Sequence, residues 1–205
     1  MIELNYSFRA GIGRFDTHDY VRAINIDVTS YDDECQEVVL GKICVDQVMI
    51  AAARIDGEDV DDIFDADSQG LHDAFSALFK ADGELQEELD VNEYVSNLIF
   101  LWDATFHPVL EPYACGILDT IGTLFGEDSV FATWHKTTGL SDAKLVELGF
   151  NKIAGSHLIF RHSAFITPFS RQNPRGLNVP FDFQCSKEQE EWVLANWKND
   201  RMAAE

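Results

Sequence analysis

Apolar and polar residues alternate over residues 2–8, with Ile2, Leu4, Tyr6 and Phe8 on one side, so the spacing predicts a first strand. Residues 20–28 alternate again. Tyr20, Ile24, Ile26 and Val28 share a face that Arg22 interrupts. Residues 29–34 read as a polar turn. Two further apolar segments, 37–45 and 47–55, break near Asp46. Their β-branched residues, among them Val38, Val39, Ile43, Val45, Val48 and Ile50, favour strands, although the Ala and Met of 48–53 also suit a helix. Residues 57–93 carry thirteen Asp or Glu and one base, Lys80. Ile63 and Phe64, then Leu71, Phe75, Leu78 and Phe79, keep helical spacing there and predict two acidic amphipathic helices.

The stretch 98–150 is the most strongly patterned. The apolar run Leu98, Ile99, Phe100, Leu101 and Trp102 reads as a buried strand, and 103–108 as its polar, Pro-bearing exit. Val109, Leu110, Tyr113, Ile117, Leu118, Ile121, Leu124 and Phe125 then recur at three- and four-residue steps, up to a stop at Gly126. Residues 130–134 form a second strand. A helix follows over 142–148, capped by Ser141 and ended by Gly149. Strand, helix, strand, helix at these lengths is the signature of a βαβ crossover. Beyond it lie a turn and strand at 152–161, which 164–166 extend, and a Pro- and Gly-bearing loop at 168–180. A last helix begins at Ser186, in a capping box with Gln189, and Trp192, Val193 and Trp197 share the face that packs back on the body.

Composition narrows the function classes. A chain of 205 residues, 46% of them apolar, has room for one domain with a real core. Its 36 acidic and 15 basic residues give a formal charge of −21, a field that repels nucleic-acid phosphates and anionic membranes. Arg161, Arg171 and Arg175 are the nearest approach to a basic patch. Cys35, Cys44, Cys115 and Cys185 are widely spaced and no charged-then-apolar leader is present, which places the chain in a reducing cytoplasm with free thiols. No apolar run reaches membrane-spanning length. The glycines and arginines of 9–14 have the wrong spacing for a phosphate loop and read as a turn. The six His residues show no metal-ligand spacing, so no metal is expected.

The run His107-Pro108-Val109-Leu110-Glu111-Pro112-Tyr113-Ala114-Cys115-Gly116, with Leu148-Gly149-Phe150 downstream, resembles the acyl-CoA-binding half of the GNAT superfamily of N-acetyltransferases. In that family a strand ends in Pro, an (Arg or Gln)-x-x-Gly-x-(Gly or Ala) loop opens a long helix, and the next helix ends in a Leu-Gly-Phe turn. The match covers about a quarter of the chain. Glu111 stands where a basic or amide side chain is usual, Ala114 stands for the first Gly, and Gly116 agrees. The resemblance implies an α/β (α+β) fold: a GNAT-like mixed, mostly antiparallel central sheet flanked by helices, with an acidic helical segment and a C-terminal helix. In one domain, 1–205, residues 56–93 would be an acidic helical insertion, 98–150 the acyl-CoA-binding-like core and 168–205 a C-terminal loop and helix extension. The family places its helices between the first two strands, whereas here they fall just before the central stretch.

The family's chemistry names the residues to look for. Acetyl-CoA would lie along Thr105, Phe106, His107, Glu111, Ala114 and Gly116, its pyrophosphate on backbone N–H groups at the helix start. The family's usual acid, a Tyr before the Leu-Gly-Phe turn, is replaced by Leu145. His135, just past the second strand, stands in by position, with Tyr113 as another candidate. Asp103 is the candidate base and Glu93 a second choice. Two readings follow. One is an acyl-CoA-dependent N-acyltransferase acting on a small amine or basic peptide. The other is a catalytically inactive GNAT-fold protein whose acidic helices engage a basic protein partner; it rests on Glu111, Pro112, Ala114 and Leu145. Neither involves nucleic acid or membrane directly, and a homodimer is open to both. A third reading makes the acidity plain solvation.

Overall fold

The computed structural model describes residues 1–8, 17–80, 82–89, 94–125, 128–163 and 183–198. The β-branched and aromatic segments build one seven-stranded sheet in the order β1-β2-β3-β4-β5-β7-β6. The strands are β1 (Glu3–Phe8), β2 (Val21–Tyr31), β3 (Glu37–Val48), β4 (Asn97–Phe106), β5 (Ser129–Trp134), β6 (Asn151–Lys152) and β7 (Leu158–His162). Every neighbouring pair is antiparallel except β4 with β5. A parallel pair needs a crossover, and α4 (Ala114–Leu124) supplies it. The other helices are α1 (Ile50–Asp56), α2 (Val60–Asp67), α3 (Gln69–Leu78), α5 (Asp142–Glu147) and α6 (Lys187–Asn196). The result is the expected mixed fold, a mostly antiparallel sheet flanked by helices.

Four boundaries differ from the sequence expectation. β2 runs on through the expected polar turn to Tyr31, because Thr29 and Ser30 are buried and the Ser30 hydroxyl donates to the Met1 carbonyl at 2.8 Å. β3 runs through Asp46 without a break, since that carboxylate accepts the Trp102 indole N–H at 2.7 Å inside the protein. The segment after it is helix α1, so the Ala-rich run obeys helix propensity, and β3 makes its hairpin with β2. β4 also outlasts its expected exit, pairing with β3 as far as Phe106. The turn at 9–14, Glu93, Gly126, the extension at 164–166 and the loop at 168–180, with Arg171 and Arg175, lie outside the described residues.

The sheet separates two cores. On one face Phe100, Trp102, Val130, Ala132, Leu158 and Phe160 meet α1, α2 and α3. Ile63, Phe64, Leu71, Phe75 and Leu78 point inward from the acidic helices, with the Phe64 and Phe75 rings 4.7 Å apart. Burying each such side chain contributes about 1.5–3 kcal/mol. The outward carboxylates repel one another through water, where salt screens beyond about 8–10 Å. Burial therefore outweighs repulsion, and the acidic layer folds. On the other face Ile99, Leu101, Phe131 and Ile159 meet Ile117, Leu118 and Ile121 of α4 and Leu145 of α5, continuous with Ile24, Ile26 and Val28. Val193 of α6 is buried as well. Among the described residues no helix is long and apolar enough to cross a membrane.

Arg161 of β7 is inside this second core, not on a basic surface patch. Its Nη1 donates to Asp119 Oδ1 of α4 at 2.6 Å and to the Leu148 carbonyl at 2.9 Å, and its Nη2 donates to the Asp119 carbonyl at 3.1 Å. The guanidinium also lies 5.7 Å from the Phe131 ring centroid and 5.5 Å from that of Phe150. Gly122 of α4 leaves the room: a Cβ there would collide with the guanidinium and with Phe131 at 2.7 Å. Arg161→Met is expected to lower the unfolding free energy by about 3–5 kcal/mol, because it strands the Asp119 carboxylate in the core. Combining it with Asp119→Leu is expected to recover most of that loss. Urea denaturation checks both, and a single variant as stable as the parent would contradict the role given to the pair.

Candidate functional site

β4 and β5 stay paired only as far as Leu101 and Thr133. One step further, Cys44 of β3 faces Asp103 while Val45 faces Leu101, so Trp102 is an extra residue bulged out of β4. The bulge resets the alternation: Ala104 and Phe106 join the core of Leu101, on the face opposite Phe100 and Trp102. The Trp102 ring sits edge-on to Phe100 at 4.8 Å, and Gly70 of α3 packs against the indole so closely that a Cβ would not fit. Beyond the bulge β4 follows β3 alone and β5 ends at Trp134, so the two strands part. At the root of the opening the Thr133 hydroxyl donates to the Leu101 carbonyl at 2.9 Å.

The residues proposed from sequence fall around this opening. Asp103 and His135 stand on its opposite lips, each just past the last paired position. Thr105 pairs with Lys42 of β3, and the Phe106 ring packs into the core against Gly41. His107 ends the strand with its N–H on the Leu40 carbonyl at 2.8 Å. Its Nδ1 accepts the Val109 N–H at 3.2 Å, which caps a 3-10 turn over Pro108–Tyr113. That turn runs directly into α4, so Ala114 and Gly116 lie buried in the first turn of the helix while Glu111 is exposed. The C-terminal segment covers the place. Trp192 of α6 meets the His107 ring edge-on at 5.2 Å, and Phe183 meets Tyr113 at 5.8 Å. Burial holds the His107 imidazole below its usual pKa.

His135 is held more firmly than any sequence motif indicates. Its N–H donates to the His157 carbonyl at 2.8 Å, and its Nε2 contacts Asp142 Oδ1 at 2.6 Å. Asp142 Oδ2 accepts from Lys152 Nζ at 2.7 Å. Asp142 reads from sequence as an ordinary first-turn acid of α5, behind the Ser141 cap, so its bond to His135 has no local signature. Lys152 first, then His135, hold its carboxyl below the usual carboxylate range. In the neutral tautomer whose Nε2 donates to this carboxylate, Nδ1 is the acceptor, which suits proton transfer or ligand binding equally. A cavity of about 520 Å³ opens beside this group, lined by Trp134, His135, Lys136, Ser156 and His157 together with Asp73 of α3. Sequence reasoning found His135 alone among these.

Among the described residues no group of three or more His, Cys, Asp or Glu side chains could hold a metal ion. Among the described residues no cysteine forms a disulfide; Cys44 and Cys185 are buried and Cys35 is exposed. No family model matches this chain, no curated protein matches it, and no solved structure resembles it.

The lowered His107 pKa fixes a direction for stability. The unfolded chain takes up this proton near pH 6.5, ahead of the folded chain. Stability from this group is therefore complete above about pH 6.5 and falls as the pH drops below it. Trp192→Ala opens the cover and is expected to move the His107 ring midpoint back toward about 6.5, read by NMR titration of the imidazole protons. A midpoint that Trp192→Ala leaves in place would assign the burial to other neighbours.

Proposed function

We propose that this chain is a GNAT-type scaffold whose acyl-CoA seat is closed, and that it works as an acidic binding module for a basic protein partner. The scaffold reading draws support from the antiparallel opening strands, the parting of β4 from β5, the helix that follows, and the two antiparallel strands after Leu148-Gly149-Phe150. The closure rests on one observation above all: a 3-10 turn over Pro108–Tyr113 leads directly into α4 at Ala114, where the family has an open loop. The amides meant to cradle a pyrophosphate therefore follow a helical turn instead of an open loop. These residues do not fit the group. Pro112 removes a donor, and His107 Nδ1 occupies the Val109 N–H. Glu111 brings a like charge worth on the order of 1 kcal/mol against a phosphate. The contacts of Trp192 with His107 and of Phe183 with Tyr113 add a cover.

The partner side of the reading comes from the acidic layer. Its outer surface exposes Asp56, Glu58, Asp59, Asp62 and Asp65, with Asp82, Glu84 and Glu87 nearby. The two bases of residues 50–89 are already engaged: Arg54 donates to the Asp82 carbonyl at 3.1 Å and Lys80 to Glu87 at 2.9 Å. A field of one sign on a rigid helical layer steers an oppositely charged partner. The acyltransferase reading keeps one observation in its favour, the parted strands with Asp103 and the Asp142-held His135 on their lips.

Thermal unfolding separates the two. A cofactor at a hundred times its Kd stabilises by about 2.7 kcal/mol, a rise of several degrees for a chain of this size. No rise is expected with millimolar acetyl-CoA, and one of several degrees would restore the acyltransferase reading. Oligolysine is expected to bind at low salt, weaken steeply as salt rises, and bind less to the combined Asp59→Asn, Asp62→Asn and Asp65→Asn variant. Equal binding to parent and variant would remove the acidic layer as the docking surface.

A further inference from the structure

The cavity at the end of β5 shares no described lining residue with β4 or with the closed seat at Pro108–Tyr113. Its walls come from α3, from Trp134 at the end of β5 and the two residues after it, and from the turn between β6 and β7. We infer that it binds a small zwitterion, an α-amino acid with an apolar side chain. The inference stands whether or not the acidic layer docks a partner.

Charge placement carries the argument. The lining brings together Lys136 and His157 with Asp73 of α3. An anion alone would meet the Asp73 carboxylate, and a cation alone would meet Lys136. A ligand bearing both charges answers both, its carboxylate to Lys136 and His157 and its ammonium to Asp73. The Ser156 oxygen already accepts the Leu158 N–H at 3.0 Å, so its own O–H remains a donor toward the carboxylate side. Trp134 supplies the apolar wall, its ring braced edge-on against Phe100 at 5.6 Å. Two further bonds preorganise the cavity: Asp142 fixes His135 at 2.6 Å, and the bond from His135 N–H to the His157 carbonyl at 2.8 Å ties the β6–β7 turn to the end of β5. The Asp73 carboxylate is oriented by Gln69 Nε2 at 2.7 Å. A volume of about 520 Å³ suits a ligand of this size.

Calorimetric titration of the full chain tests this with three probes: L-phenylalanine, 3-phenylpropionate, which lacks the ammonium, and phenethylamine, which lacks the carboxylate. L-Phenylalanine is expected to bind at least about tenfold more tightly than either relative, the worth of one charged hydrogen bond. Asp73→Ala is expected to erase its advantage over 3-phenylpropionate, and Lys136→Ala its advantage over phenethylamine. Both side chains are exposed, so the variants keep the fold, and parent-like melting confirms it. No heat from millimolar L-phenylalanine, or ratios that neither substitution changes, overturns the assignment.

Discussion

The guanidinium of Arg161 is the fixed point of the C-terminal half. It reaches three separate pieces of chain: Asp119 in α4, the Leu148 carbonyl after α5, and the rings of Phe131 in β5 and Phe150 before β6. Burial pushes the Arg161 pKa down while the Asp119 carboxylate pushes it up, and an arginine remains charged under that opposition. A cation held this way in a core is not a large source of net stability. Its value is geometric. An apolar side chain would allow α4 to slide along the sheet, whereas a planar fork bonded to both a carboxylate and carbonyls fixes the depth and rotation of the helix. Gly122 belongs to the same device, because only a residue without a Cβ lets the helix close over the guanidinium.

On the opposite face Trp102 does comparable work. An extra residue in β4 sends its indole to Asp46, seats Gly70 of α3 against the ring, and turns Ala104 and Phe106 into the other core. The acidic helices are thereby anchored to the strand at the point where it leaves β5. A bulge re-aims side chains and ends pairing at once, so the parting of β4 and β5 and the docking of α3 have a common cause. Whatever binds near the opening meets a boundary set by packing rather than by loop length.

Legibility from sequence followed the range of the interactions. Caps and turns are local, so Ser141 and Gly149 bounded α5 correctly, and Gly149 has the positive φ of 81° that a helix-ending glycine adopts. The acidic helices were legible because Ile63, Phe64, Leu71, Phe75 and Leu78 carry the period on their own. Asp46 read as a break because the indole that satisfies it comes from 56 positions away. Arg161 read as a surface base because its carboxylate is 42 positions distant. The α1 segment was misjudged for a different reason: β-branched residues end just where alanines begin, and propensity of the second group prevailed.

The candidate site shows the same division more sharply. His135 was visible as a residue type past a strand, but its bond partner Asp142 and that partner's partner Lys152 belong to a helix start and an edge strand. The Arg161 bond to the Leu148 carbonyl holds the end of α5 against β7, near which the three meet. His107 went the other way. Its position matched a cofactor loop, yet the fold spends its ring on capping a 3-10 turn and on packing against Trp192. A half-buried imidazole that caps a 3-10 turn and meets an indole edge-on has little freedom left for a phosphate. Position in a motif therefore carries less weight here than the number of bonds a side chain has already made, and by that measure the end of β5 is better arranged for a ligand than the start of α4.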